Sequence, residues 1–156
     1  MNLDEKFSNN WRPYVYQSLY AAVSIFIIIL VLQMQHAVVI ASIGATAFIV
    51  FSMPNDIAAT PRRVIGGHFL GLVSGAVFSM LTFGPLFFSA LVYSLAVGIA
   101  LFAMVLTDTE HPPAAGTALG VALTGFSIRM AVAVMASVII LSLIHRFARP
   151  HIKDLV

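Results

Sequence analysis

Long uncharged apolar runs alternate with short polar interruptions along the whole of this sequence. The run from Tyr14 to Leu32 would extend about 28 Å as a helix, which matches the hydrocarbon core of a bilayer. Two further runs of similar character are Leu86 to Leu106 and Ile128 to Ile144. We therefore predict a transmembrane helix over each of these three ranges.

A fourth long helix is predicted to begin at Thr60-Pro61, with Thr60 as its N-cap and Pro61 as its first residue. Glycines then recur every four positions, at Gly67, Gly71 and Gly75. This spacing leaves one face of the helix almost bare of side chains. Such a face favours close packing against another helix in lipid.

Two shorter segments complete the pattern. The first, Ala37 to Met53, opens with β-branched residues of low helix propensity, so we predict an extended entry and a short helix from Gly44. The second follows two adjacent prolines, which fix the backbone and remove two donors. A short helix is therefore predicted from Pro113 or Ala114 to about Gly125.

The composition indicates a membrane protein, because 60% of the residues are hydrophobic and 9% are charged, against about 25% charged in soluble domains. We predict an all-α integral membrane protein, a helical bundle of two inverted three-segment halves, each with a short broken helix. The predicted divisions are a cytoplasmic N-terminal segment over 1–13, one transmembrane domain over 14–146 and a cytoplasmic basic tail over 147–156.

The two halves also share a short pattern. The segment Gly44-Ala45-Thr46-Ala47 aligns with Gly116-Thr117-Ala118-Leu119, and a histidine precedes each, His36 in one half and His111 in the other. We interpret this match as an internal repeat, with chance similarity of two short segments as the alternative.

The distribution of basic residues predicts the orientation in the membrane. If all six segments cross and the N-terminus is inside, only Arg129 lies outside. The basic residues then on the cytoplasmic side are Lys6, Arg12, Arg62, Arg63, Arg146, Arg149 and Lys153. If the two short segments instead dip in and return, Arg62 and Arg63 move outside. We therefore favour six crossings, in the cell (inner) membrane, with both termini cytoplasmic.

Inverted halves with short broken segments point to a binding site near the middle of the membrane. A helix that begins inside the bilayer leaves its first N–H groups unpaired and its positive dipole end buried, and both features favour an anion. Nitrite, nitrate, formate or a halide would fit such a site. The predicted substrate-binding residues are Ser42, Gly44, Ala45, Thr46, Gly116, Thr117 and Ala118.

Charged and titratable residues flank this predicted site. Arg62, Arg63 and Arg129 are expected to attract the anion at the two mouths. Gating or proton coupling is assigned to His68, Asp108, Glu110 and His111, with His111 titrating near neutral pH. The alternative roles are helix capping for the loop residues and packing for His68.

Three blocks in order carry a family resemblance that covers about residues 14 to 146. They are His111-Pro112-Pro113-Ala114, the block Pro61 to His68, and Ala41-Ser42-Ile43-Gly44-Ala45-Thr46-Ala47. Together they resemble the HPP family of small integral membrane proteins. The resemblance implies a membrane protein, with nitrite transport the activity associated with some plant and cyanobacterial members.

Other classes of function have less support. The sequence has no Cys and no His-x-x-x-His or Glu-x-x-His spacing, so we expect no metal site, no cofactor and no enzyme activity. The net charge of +2 is too small and dispersed to indicate nucleic acid binding. A structural or regulatory membrane subunit that binds partner helices through its glycine faces is the main alternative. We also expect a homo-oligomer, because six segments of this length make a thin bundle.

Overall fold

The computed structural model describes residues 5–32, 37–81 and 85–156. It contains six helices: α1 (Glu5–Leu32), α2 (Ala37–Ser52), α3 (Pro61–Ser79), α4 (Leu86–Leu106), α5 (Pro113–Thr124) and α6 (Ile128–Ala148). Short 3₁₀ turns precede α3 at Ile57–Ala59 and follow α6 at Arg149–His151. The described ranges contain no strand, which confirms the prediction of an all-α protein.

Several helix boundaries match the local signals in the sequence. Thr60 is extended and Pro61 is the first residue of α3, as predicted, although the Thr60 hydroxyl donates to the Ile57 carbonyl instead of capping the helix. The short helix α5 begins at Pro113 and ends before Gly125, as predicted. Gly125 has a φ of 84°, a left-handed conformation that glycine adopts without steric cost.

The predicted extended entry to the second segment is wrong. Residues Ala37–Ser52 form one continuous helix, so Gly44 lies in the middle of α2 and does not begin a helix. In a bilayer every backbone N–H and C=O must find a partner within the protein, and this requirement outweighs the weak helix propensity of β-branched residues. His36, the histidine expected before this segment, lies outside the described residues.

The helices differ in how well they suit a bilayer. Among the described residues, α4 and the range 128–151 are long and apolar enough to cross a membrane. The ranges Val38–Ser52 and Pro113–Thr124 are shorter apolar helices. The helix α1 begins at Glu5, before the predicted start at Tyr14, so it includes part of the polar N-terminal segment. The predicted domain divisions stay a prediction.

Successive helices from α2 to α6 run in alternating directions. His145, near the end of α6, bonds to the carbonyl of Pro54 just after α2, with an Nε2–O distance of 2.9 Å. Arg62, at the start of α3, donates to the carbonyl of Thr107 just after α4 over 3.0 Å. Hydrogen bonds also bring the C-terminal residues to this end, because the Leu155 N–H donates to the Ser52 carbonyl over 2.8 Å. These contacts define one end of the bundle, which we call the loop end.

Among the described helices, α3 and α5 make the most extensive contact. A Cβ added at Gly71 would lie 2.5 Å from the Ala114 carbonyl oxygen, and one added at Gly75 would lie 2.7 Å from the Ala118 carbonyl oxygen. The glycine face of α3 therefore packs against the backbone of α5 within the same chain. This contact confirms the close packing predicted from the glycine spacing.

A pair of glycine substitutions tests this contact. Gly71→Ala should destabilise the protein by about 1–3 kcal/mol, because the new methyl group would overlap the α5 backbone. Gly98→Ala on α4 is the matched control, since a Cβ there meets no heavy atom within 4 Å. Thermal unfolding in detergent measures both. Equal melting temperatures for the two variants would contradict the close packing of α3 on α5.

Candidate functional site

Five buried polar side chains from four parts of the chain meet beside the α3–α5 contact. We call this set the polar core: Ser42 and Thr46 from α2, His68 from α3, His111 from the loop before α5, and Thr117 from α5. Ser42 is 5% exposed and the other four are fully buried. All five are predicted site residues, and the structure joins side chains that the sequence places in two halves.

Thr46 is the central group of the polar core. Its Oγ1 lies 2.8 Å from Nε2 of His68 and 3.0 Å from Nε2 of His111. The two imidazole ring centroids are 5.2 Å apart, so a single hydroxyl bridges the two rings. The same Oγ1 lies 3.1 Å from the Ser42 carbonyl one helical turn earlier.

The hydrogen-bonded chain continues from the second nitrogen of His68. Its Nδ1 lies 2.8 Å from Oγ1 of Thr117, and that oxygen lies 2.8 Å from Oγ of Ser42. The Ser42 hydroxyl also donates to the Pro113 carbonyl over 2.6 Å. The polar core thus runs without interruption from the loop before α5 to the second turn of α5.

The partners of the two imidazoles assign their neutral tautomers. Nδ1 of His111 faces the carbonyl oxygen of Ala58 at 2.8 Å, so that nitrogen carries the proton and Nε2 accepts from Thr46. Because the single Thr46 proton is then used, Nε2 of His68 must donate to Thr46. Nδ1 of His68 in turn accepts from Thr117. Each imidazole thereby acts once as donor and once as acceptor.

His111 lies in the loop between α4 and α5, outside the helices, and its surroundings disfavour a charge. Burial lowers the pKa of His111 from 6.5 to about 4, although the hydrogen bond to the Ala58 carbonyl acts in the opposite direction. The imidazole is therefore neutral at pH 7 in this conformation. The expected titration near neutral pH would need a conformation in which His111 is less buried.

Two adjacent glycines at the start of α3 let this loop approach. A Cβ on Gly66 would lie 2.7 Å from Cγ2 of Thr109, and one on Gly67 would lie 2.8 Å from Cβ of His111. Both distances are shorter than side chains tolerate. The absence of a side chain at these positions is what permits His111 to reach the polar core.

The remaining predicted substrate residues fall into two groups. Gly116 lies against the polar core, because a Cβ there would be 3.3 Å from Cβ of Ser42, and Ala118 is fully buried where α5 packs against α3. Gly44 faces open space and Ala45 is exposed, so the structure does not bring these two residues to the site.

The predicted cradle of unpaired N–H groups at two helix starts is wrong. Gly44 is inside α2, where a helix has no free end. At α5 the two prolines lack an N–H, and those of Ala114 and Ala115 already donate to the carbonyls of His111 and Pro112. The hydrogen-bonding groups that converge in the structure belong to side chains.

A compensated set of charges lies at the loop end. Arg63 pairs with both Asp108 and Glu110, and Arg62 pairs with Asp108 at 3.1 Å. We call these four residues the charged cluster, and its two positive and two negative charges sum to zero. Arg62 and Arg63 were expected to attract anions, but in this conformation their cluster carries no net positive charge. Asp108 sits at a φ of 54°, an uncommon conformation for a residue with a side chain.

Arg129, the third predicted anion-attracting residue, lies far from the charged cluster. It is exposed in the first turn of α6, about 24 Å along that helix from His145 at the loop end. In the part of the chain that the structure describes, no group of three or more His, Cys, Asp or Glu side chains could hold a metal ion.

Comparison with known proteins places the chain in a family. Residues 6–149 match the family described as "HPP, transmembrane region". The chain belongs to the HPP transmembrane family. It is therefore a membrane protein, as both the resemblance and the composition predict.

Two relatives of this HPP protein come from Dictyostelium discoideum and are named only as transmembrane proteins. One is 37% identical over 97 residues, which cover 56% of this chain and 31% of the relative. The other is 33% identical over 108 residues, which cover 62% of this chain and 34% of the relative. The aligned parts thus span about a third of the length of these relatives. No solved structure matches the chain.

Gln17 and His145 of this HPP protein are buried polar residues that the predicted site did not include. Gln17 in α1 is 1% exposed, and its amide donates to the carbonyls of Phe51 and Lys153. His145 in α6 is 2% exposed and donates to Pro54. Gln17 carried a usable signal, because it is a side-chain amide within an uncharged predicted span. Both residues hold the loop end together.

The lowered pKa of His111 predicts a pH dependence of stability. Between pH 6.5 and 4 the unfolded chain binds a proton at His111 that the folded chain does not, so stability falls as the pH falls. The slope from this group is at most about 1.4 kcal/mol per pH unit. His111→Gln should make thermal unfolding in detergent less sensitive to pH. Identical slopes for wild type and His111→Gln would contradict the assignment.

Proposed function

We propose that this HPP protein transports a small inorganic anion across the membrane, with nitrite as the substrate, through the polar core. The observation that carries the proposal is the convergence of five buried polar side chains from α2, α3, α5 and the loop before α5. Nitrite transport is the activity that the family resemblance implies. The buried hydroxyl and imidazole groups support a small polar substrate.

The location of the polar core favours transport over a purely structural role. The outward face of α4 carries large apolar side chains, among them Leu95, Ile99 and Phe102. Polar groups inside such a bundle are costly, and they mark substrate pathways in many membrane proteins. An apolar core would hold the helices together without that cost.

The chemistry of the polar core suits a small anion. Its hydroxyl and neutral imidazole groups offer donors, and α2, α4 and α5 contain no charged residue that would repel a negative charge. The acids of the loop before α5, Asp108 and Glu110, are bound to arginines in the charged cluster. Nitrite presents two acceptor oxygens on a small body, so it can exchange hydrogen bonds with neighbouring hydroxyls.

The charged cluster supports a gate at the loop end. Its ion pairs hold the loop 107–112 against the start of α3, and this loop carries His111 into the polar core. Separation of the two arginines from Asp108 and Glu110 would release the loop and open a route to the polar core. Asp108 and Glu110 thus act in gating, and the arginines that they release would then attract an anion.

The alternative role is a subunit that binds partner helices through the glycine face of α3, and that face is not available for a partner. The glycine face of α3 is occupied by α5 of the same chain. For a homo-oligomer, α4 offers the better face, because Ala90, Ser94 and Gly98 lie exposed at four-residue spacing. The homo-oligomer remains part of the proposal, with α4 as its contact.

We further propose six crossings with the loop end in the cytoplasm. The chain has no cysteine, so single cysteines can be introduced for labelling. Ile128→Cys, at an exposed residue that starts α6, should react with an impermeant reagent added outside whole cells. Ile57→Cys, exposed at the loop end, should react only after the membrane is opened. The reverse result would overturn the proposed orientation.

Nitrite flux tests the transport proposal directly. Purified wild type in liposomes under an imposed nitrite gradient should move nitrite faster than protein-free liposomes. Gly116→Val should reduce this flux by about tenfold or more, because the side chain would push Ser42 out of the polar core. Gly44→Val is the matched control, since that position faces open space.

Two results would contradict the proposal in different ways. Equal flux from a correctly inserted Gly116→Val protein would remove the polar core as the route. Absence of flux for nitrite, nitrate, formate and chloride in wild type would overturn transport itself and favour the subunit role.

A further inference from the structure

The polar core contains more hydrogen-bond contacts than protons to fill them. Seven contacts join its side chains to one another and to the carbonyls of Ala58, Ser42 and Pro113. Three hydroxyls and two neutral imidazoles supply five protons. Two of the seven contacts therefore lack a hydrogen atom at any moment, even though their heavy atoms are within hydrogen-bond distance.

The two contacts without a hydrogen involve two hydroxyls, each of which faces two acceptors. Thr46 has one proton for both Nε2 of His111 and the Ser42 carbonyl. Ser42 has one proton for both the Pro113 carbonyl and Thr117. If His111 gained a proton on Nε2, it would donate to Thr46, and Thr46 could then donate elsewhere. The polar core can therefore take up one proton and form an additional hydrogen bond.

We propose that the polar core is a proton relay in which the Thr46 hydroxyl passes a proton between His68 and His111. The relay rests on the proposed function, because it supplies the proton that would accompany the anion through the same site. Its path runs from Thr117 through His68 and Thr46 to His111, over separations of 2.8, 2.8 and 3.0 Å.

Each transfer forms one bond to hydrogen and breaks one. A hydronium ion, or the acid form of the anion, gives a proton to Oγ1 of Thr117, whose own hydrogen passes to Nδ1 of His68. The hydrogen on Nε2 of His68 passes to Oγ1 of Thr46, and the original Thr46 hydrogen passes to Nε2 of His111. No atom is oxidised or reduced. The net result is an imidazolium at His111 and a neutral His68 with its hydrogen moved from Nε2 to Nδ1.

Titratable and charged groups lie near His111 on α3, in the loop and beside the 3₁₀ turn. The helix α3 contributes His68 and the two arginines of the charged cluster, and the loop contributes Asp108 and Glu110. The 3₁₀ turn contributes the Ala58 carbonyl, with Asp56 just before it accepting from the Ala58 N–H. The helices α2 and α5 contribute no charged residue. Carboxylates at the loop end can accept the proton once the loop opens.

Thr46 is the test position because its hydroxyl bridges the two imidazoles. Thr46→Val keeps the shape of the side chain but removes the hydroxyl, and Thr46→Ser keeps the hydroxyl. Thr124→Val is the matched control, since the Thr124 hydroxyl donates to the Gly120 carbonyl away from the polar core. Thermal unfolding in detergent verifies that each variant is folded.

The first measurement is nitrogen NMR of ¹⁵N-histidine-labelled protein in detergent, with His68→Gln and His111→Gln used to assign the signals. At neutral pH we expect His111 to carry its proton on Nδ1 and His68 on Nε2. On acidification to about pH 4, as His111 becomes charged, His68 should move its proton to Nδ1 in wild type and in Thr46→Ser. In Thr46→Val it should remain on Nε2. A wild-type His68 that keeps its Nε2 proton throughout would overturn the relay.

The second measurement is the number of protons taken up per nitrite moved into liposomes, followed with an internal pH-sensitive dye. Thr46→Val should lower this ratio by about tenfold relative to wild type, and Thr46→Ser should restore it. An unchanged ratio in Thr46→Val would overturn the relay while leaving nitrite transport intact. If wild type moves no nitrite, the proposed function fails, and the NMR result alone decides the relay.

Discussion

The close approach of α3 to α5 is the contact on which the other features of this protein depend. Glycines on α3 let the backbone of α5 come within van der Waals distance. At that separation His68 on α3 reaches the Thr117 hydroxyl on α5, and the loop before α5 brings His111 to within 5.2 Å of His68 between ring centroids. A bulkier α3 face would separate the two imidazoles and leave their nitrogens without partners.

The hydrocarbon environment explains the form of both the helices and the polar core. Backbone groups must pair within the protein, so the β-branched start of α2 stays helical and places Ser42 and Thr46 on one face, one turn apart. The same requirement applies to buried side chains. The Thr46 hydroxyl of α2 therefore pairs with the imidazoles of His68 and His111. The Thr117 hydroxyl of α5 pairs with the second nitrogen of His68.

The charges at the loop end bind the loop 107–112 to the start of α3 and leave little net charge to attract an anion. Arg62 and Arg63 are matched by Asp108 and Glu110, so the field of the cluster is small while its ion pairs remain. This arrangement links the fold to the proposed function, because the loop that the cluster holds is also the one that inserts His111. A change that separates the ion pairs would alter burial of His111 and access to the polar core together.

The sequence alone predicts the class, the helix boundaries at Pro61, Pro113 and Gly125, and the packing role of the α3 glycines, because these follow from composition and local sterics. It also marked each residue of the polar core as a candidate. It did not predict that Gly44 is inside a helix, since the local propensity of its neighbours conflicts with the pairing that a bilayer imposes. Which side chains meet depends on how the helices pack against one another. The hydrogen bonds of Thr46 to His68 and His111 join residues 22 and 65 positions apart, and spacing along a chain holds no information about such contacts.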